Sequence, residues 1–140
     1  MKMSGTIDHI GIATNNLDEH TEFWQALGLI QGKDEVNEEQ GVRIRFFDST
    51  ENEARIELLE PIGKDTPIGR FISSRGEGIQ QIAIRVENIE STIQTLTELG
   101  VLMIDREPKI GAGGSKIAFI HPKSTGGVLV ELVQRVNMKE

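Results

Sequence analysis

The first strand-like stretch of the chain reads DHIGIATNNL at positions 8–17, and a counterpart reads QQIAIRVENI at positions 80–89. Both stretches open with alternating apolar residues, which is the pattern of a β-strand with one buried face. Both continue into an asparagine-led helix that ends at a glycine, Gly28 in the first copy and Gly100 in the second. The chain is therefore predicted to contain two copies of one structural unit.

Three strand-like runs follow each predicted helix, separated by turn residues. They lie at 29–34, 42–48 and 54–60 in the first copy, and at 101–105, 116–121 and 128–134 in the second. Thr66 followed by Pro67 indicates the start of a short helix between the copies. We predict an α+β fold in one domain, 1–140, with mostly antiparallel sheets. Two tandem βαβββ modules would span about 6–62 and 78–135, with the connecting helix at about 66–76.

The composition limits the functions that the chain can perform. It has 140 residues, a formal net charge of −7 and no cysteine. The negative charge disfavours nucleic acid and anionic membranes as partners. The absence of thiolates leaves only nitrogen and oxygen ligands for a metal. No stretch is apolar enough for a membrane span or a signal peptide, so we expect a cytoplasmic protein.

Four polar residues lie on the strand faces opposite the apolar residues, at corresponding places in the two copies. Successive side chains of a strand point to opposite faces, so His9 lies away from Ile10 and Ile12. The same reasoning gives the set His9, Glu57, Gln81 and Glu131. Imidazole, carboxylate and amide oxygen together can hold Mn²⁺, Co²⁺, Zn²⁺ or Ni²⁺. The alternative is an ordinary solvated sheet face with scattered polar residues.

Several segments carry a resemblance to a known family. They read RIELLEP at 55–61, EPKIGAGG at 107–114 and HPK at 121–123. With the first strand, they resemble the methylmalonyl-CoA epimerases of the vicinal-oxygen-chelate superfamily, which includes glyoxalases, bleomycin resistance proteins and dioxygenases. The resemblance covers nearly the whole chain. It implies a cupped mixed sheet around one divalent metal ion, expected to be Co²⁺ before Mn²⁺, Zn²⁺ or Ni²⁺, and a homodimer.

The resemblance also implies the roles of individual residues. The metal ligands would be His9, Glu57, Gln81 and Glu131, although the family usually has histidine where this chain has Gln81. The reaction would interconvert (R)- and (S)-methylmalonyl-CoA by metal-assisted proton abstraction and reprotonation through an enolate. Glu39 and Glu131 would be the acid/base residues. Glu39 lies in an acidic run, so a solvated turn is the competing interpretation for that residue.

Other functions remain open on the same fold. A glyoxalase I-type metal-dependent lyase would use His9, Glu57 and Glu131 as well. A metal-free small-molecule-binding protein has little need for two aligned carboxylates, whereas a metal enzyme depends on them. An extradiol dioxygenase is disfavoured, because Gln81 spoils the two-histidine, one-carboxylate iron site.

Overall fold

The computed structural model of the protein describes residues 4–51 and 53–136. The chain divides into two compact units. One is His9–Gln80, and the other joins Met1–Asp8 to Gln81–Glu140, as far as these ranges are described. The predicted turn between the strand-like runs 42–48 and 54–60 includes Asn52, which lies outside the described residues.

The unit His9–Gln80 contains a sheet in the order β2-β4-β5-β1, with β3 paired to β4. From His9 onward β1 runs parallel to β5, and the other pairs are antiparallel. The elements are β1 (Thr6–Ala13), a 3-10 turn (Leu17–Glu19), α1 (Thr21–Ala26), β2 (Ile30–Gln31), β3 (Glu35–Asn37), β4 (Val42–Asp48), β5 (Arg55–Pro61) and α2 (Pro67–Arg75).

The second unit repeats this plan with the sheet order β6-β9-β8-β7. Its first and last strands are again parallel, and the other pairs are antiparallel. The elements are β6 (Gly78–Arg85), α3 (Ile89–Glu98), β7 (Lys109–Ile110), β8 (Lys116–Ile120) and β9 (Val130–Gln134), with 3-10 turns at Ala112–Gly114 and Pro122–Ser124. The predicted α+β class and mainly antiparallel pairing are confirmed, and the parallel pair in each unit makes the sheet mixed, as the family resemblance implied.

The predicted start at Asn88 and the predicted ends at Gly28 and Gly100 are confirmed, but the predicted start of the first helix is wrong. Asn16 caps a separate 3-10 turn, and α1 begins only at Thr21. The Asn16 side chain accepts a hydrogen bond from Asp18 at the 3-10 turn, and the Asn88 side chain accepts one from Ser91 at the start of α3. Gly28 and Gly100 have φ of 95° and 90°, which a helix C-terminus followed by a reversal requires. Thr66 caps α2 in the same way as the asparagines, by accepting from Gly69.

Some predicted elements differ from the structure. The predicted strand at 101–105 is wrong, because only Met103 forms an isolated bridge there. The neighbouring amides are satisfied irregularly, since the Leu102 N–H donates to the Ser124 hydroxyl at 2.8 Å and those of Ile104 and Asp105 share the Phe119 carbonyl. The strand predicted at 29–34 is reduced to Ile30–Gln31, and the short strands β3 and β7 were not predicted.

The apolar cores of the two units confirm the predicted strand faces. In one unit Phe47, Leu58 and Leu17 are buried, and Ile12 and Trp24 pack against them. In the other, Ile89 and Ile93 of α3 pack against the sheet with a further set of residues: Val86, Met103, Ala118, Ile120 and Leu132. Burial of this apolar surface is the main stabilising contribution to each unit. The opposite faces of β1, β5, β6 and β9 carry the polar residues His9, Glu57, Gln81 and Glu131.

Candidate metal centre and active site

The unit His9–Gln80 brings His9 and Glu57 together. The His9 Nδ1 atom lies 3.3 Å from the Glu57 Oε2 atom, and both side chains are buried. In the parallel β1–β5 register Glu57 lies opposite Gly11, which has no side chain. The Glu57 carboxylate can therefore reach His9, two residues before Gly11 on β1. A buried carboxylate requires a charged or hydrogen-bonded partner, and the His9 imidazole is the metal-type ligand that lies beside this one.

The second unit brings Gln81 and Glu131 together. The Gln81 Nε2 atom donates a hydrogen bond of 2.5 Å to the Glu131 Oε1 atom, and both side chains are buried. In the parallel β6–β9 register Glu131 lies opposite Ala83. This hydrogen bond fixes the orientation of the Glu131 carboxylate relative to the Gln81 carboxamide.

The two pairs have the same construction. In each unit a carboxylate on the last strand faces a small residue of the first strand, Gly11 or Ala83. In each unit its partner is the residue two positions before that small residue, His9 or Gln81. None of the four polar side chains belongs to a residue more than 8% exposed. The structure therefore assembles the predicted residues as two buried pairs, one per unit.

The predicted acid/base residue Glu39 lies elsewhere, in the exposed turn between β3 and β4. The turn is ordered by a 3.1 Å hydrogen bond from the Gln40 N–H to the Asn37 side chain. Gly41 has φ of 68°, and a Cβ atom there would come within 2.5 Å of the Thr66 side chain. The Glu39 carboxylate has no hydrogen bond or ion pair within residues 4–51 and 53–136. Its catalytic role stays a prediction.

The sequence interpretation missed a charged cluster around Asp8. This residue is fully buried, and its Oδ1 atom accepts hydrogen bonds of 3.0 Å from Arg85 and from Arg135. A second contact joins its Oδ2 atom to Arg135. The sequence does indicate that Asp8 needs a partner. Asp8 points to the same face of the strand as Ile10 and Ile12, and a charge on an apolar face needs an opposite charge. The identity of the partners was not available, since Arg135 is remote in sequence.

A second group of metal-type ligands lies at the surface and is built around Glu77. Its Oε2 atom accepts a 2.7 Å hydrogen bond from the Asn15 N–H and a 3.0 Å bond from the Thr14 hydroxyl. Its Oε1 atom lies 3.3 Å from His20 Nε2, and Glu19 completes the group. Glu77 thus ties the segment between α2 and β6 to the turn after β1. These bonds, the one from Asn15 foremost, lower the pKa of the Glu77 carboxyl against the opposing effect of burial.

The lowered pKa of Glu77 predicts a pH-dependent contribution to stability. A carboxyl whose pKa is lower in the folded state stabilises the fold above its ordinary pKa of 4.5, and this stabilisation is lost as the pH falls through the folded value. We expect Glu77→Gln to reduce the free energy of unfolding by about 0.5 kcal/mol at neutral pH, because solvent screens this surface carboxylate. The loss should shrink towards zero in acid. Urea denaturation at a series of pH values measures it, with Glu22→Gln on the exposed face of α1 as the control. A loss that is constant with pH would contradict the assignment.

Comparison with known proteins shows which proteins the chain is related to. The sequence model of the Glyoxalase/Bleomycin resistance protein/Dioxygenase superfamily matches residues 8–119. The chain is 40% identical over 129 residues to the uncharacterized protein YqjC of Bacillus subtilis, covering 91% of each chain. It is 39% identical over 133 residues to the mitochondrial methylmalonyl-CoA epimerase of Dictyostelium discoideum, covering 94% of this chain and 79% of that one.

A solved structure adds to these relatives. It is a methylmalonyl-CoA epimerase in complex with methylmalonyl-CoA and NH4+, and it matches with a TM-score of 0.87 at 37% identity. The match covers 96% of both chains. None of the helices in the described part of the protein is long and apolar enough to cross a membrane. The chain belongs to the methylmalonyl-CoA epimerase family, within the Glyoxalase/Bleomycin resistance protein/Dioxygenase superfamily.

Proposed function

We propose that this protein is a methylmalonyl-CoA epimerase, an isomerase that interconverts (R)- and (S)-methylmalonyl-CoA. The observation that carries the proposal is the repeated buried pair, His9 with Glu57 and Gln81 with Glu131, in a chain of this family. A structural role alone gives no reason for two buried carboxylates at equivalent places in two units, because each one costs free energy to bury.

We propose that His9, Glu57, Gln81 and Glu131 would hold one divalent cation. The donor chemistry fits, since these residues offer an imidazole nitrogen, two carboxylates and an amide oxygen. Their burial fits as well, because a cation would compensate the two carboxylates where water cannot. Such an ion would supply Lewis-acid stabilisation of the negative charge that develops on the thioester oxygen during proton removal.

The protein's own side chains would move the proton. Epimerisation requires one group that removes the hydrogen at C2 and another that returns a proton to the opposite face of the carbon. We propose Glu131 and Glu39 for these roles. Glu131 is already buried, whereas Glu39 is exposed and would have to be covered by the substrate before it could act efficiently. The residues opposite the two carboxylates, Gly11 and Ala83, are small.

The test is proton exchange observed by NMR. One epimer of methylmalonyl-CoA in D₂O should exchange its C2 hydrogen for deuterium and epimerise at C2 when the protein is added with Co²⁺ or Mn²⁺. Chelation should abolish the exchange, and restoring the ion should restore it, because the enolate charge then regains its stabilisation. Absence of exchange from a protein shown to be loaded with metal would contradict the epimerase proposal. A glyoxalase-type lyase would then be tested with glutathione adducts.

The assembly and the location of the protein are further parts of the proposal. We propose a homodimer in the cytoplasm, as the family resemblance and the composition suggest. Light scattering during size-exclusion chromatography would measure the mass in solution. A mass of 15.5 kDa, that of one chain, would contradict the dimer.

A further inference from the structure

We propose that Gln81 sets the metal preference of this protein, as an oxygen ligand whose amide N–H also orients the neighbouring ligand Glu131. This inference rests on the proposed function, because it takes the four-residue metal site as given. It goes beyond that proposal by assigning to one residue both the positioning of a carboxylate and a bias towards oxygen-preferring ions such as Mn²⁺.

The positioning role follows from the contact within the second unit. Gln81 Nε2 donates to Glu131 Oε1 at 2.5 Å, and the two residues are 8% and 5% exposed. A carboxylate held by such a bond has lost most of its rotational freedom before any ion arrives. A carboxamide bears an N–H donor and a carbonyl oxygen on the same carbon. One side chain can therefore hold a neighbouring ligand with its nitrogen and offer its oxygen to a cation.

The metal preference follows from the chemistry of the donor atoms. Among the four proposed ligands only His9 supplies nitrogen, while Glu57, Glu131 and Gln81 supply oxygen. Imidazole nitrogen favours Co²⁺, Ni²⁺ and Zn²⁺, whereas carboxylate and carbonyl oxygens suit Mn²⁺ and other hard ions. An additional imidazole at position 81 would strengthen binding of Co²⁺ far more than binding of Mn²⁺. We therefore expect the metal preference of this site to be shifted from Co²⁺ towards Mn²⁺.

The experiment measures metal binding directly and needs no substrate. Dissociation constants for Mn²⁺ and Co²⁺ are measured by calorimetry on the metal-free protein, on Gln81→His and on Gln81→Leu, with the electron paramagnetic resonance spectrum of bound Mn²⁺ as a second readout. Gln81→His should shift the ratio of the two constants at least about tenfold in favour of Co²⁺. Gln81→Leu should weaken both ions about tenfold or more, because an oxygen donor and the bond to Glu131 are lost together.

The matched control is Gln80→His, which adds an imidazole one residue away on the opposite face of β6. It should leave the ratio unchanged, and thermal unfolding would establish that all variants are folded. An unchanged ratio in Gln81→His, or wild-type affinity in Gln81→Leu, would overturn the inference. Wild-type protein that binds neither ion would also overturn it. If C2 exchange persisted in that case, the proposed epimerase activity would still stand.

Discussion

Replacing Glu131 by glutamine should slow C2 exchange and epimerisation of methylmalonyl-CoA by about 10²- to 10⁴-fold, the usual contribution of a general acid or base. Glutamine preserves the size of the side chain and its contact with Gln81, but it cannot take up a proton. The loss should appear in kcat more than in KM, because the affected interaction exists only in the transition state. Exchange in D₂O followed by NMR measures it, at a metal concentration that saturates the variant.

The matched control for this prediction is Glu98→Gln, an exposed glutamate of α3 in the same unit. It should leave the rate within about twofold, as expected for a surface change remote from the chemistry. Metal content has to be measured for each variant, since Glu131 is also a proposed ligand. If metal-loaded Glu131→Gln kept more than a tenth of the wild-type rate, Glu131 would not be the acid/base residue.

Removing the carboxylate of Asp8 should lower the free energy of unfolding by about 3 kcal/mol. Breaking a buried ion pair costs about 3–5 kcal/mol, because the remaining charge is left without compensation. The side chains of Arg85 and Arg135 are 35% and 27% exposed, so water regains part of their solvation and the lower end of that range applies. Urea denaturation of Asp8→Ala at neutral pH measures the change, and Asp8→Asn separates the loss of charge from the loss of packing.

A second ion pair of the chain is the natural control. Asp65 pairs with Arg70 at 3.2 Å, but both side chains are exposed. Asp65→Ala should therefore cost at most about 0.5 kcal/mol, as exposed pairs generally do. Equal effects for Asp8→Ala and Asp65→Ala would show that burial of the Asp8 cluster contributes nothing to stability.

The side of each strand that bears the polar residues can be predicted from the sequence alone. Alternation is a property of the extended backbone, so His9 and Gln81 could be assigned to the face opposite the isoleucines before any contact was known. The helix ends at Asn88 and Gly100 could also be predicted from nearby residues, because a cap satisfies backbone groups within one turn of the chain. The internal repeat then indicated that every such feature should occur twice.

Which of these residues contact one another depends on how the strands pack in three dimensions. The register of β5 against β1 and of β9 against β6 places Glu57 and Glu131 opposite Gly11 and Ala83, and register depends on how entire strands pack. The strand predicted at 101–105 failed for a related reason, since only Met103 is buried and bridged to Ile120 while Leu102 and Ile104 stay exposed. The partners of Asp8 are likewise distant in sequence. Local covalent geometry sets the direction of a side chain, whereas long-range packing selects its neighbour.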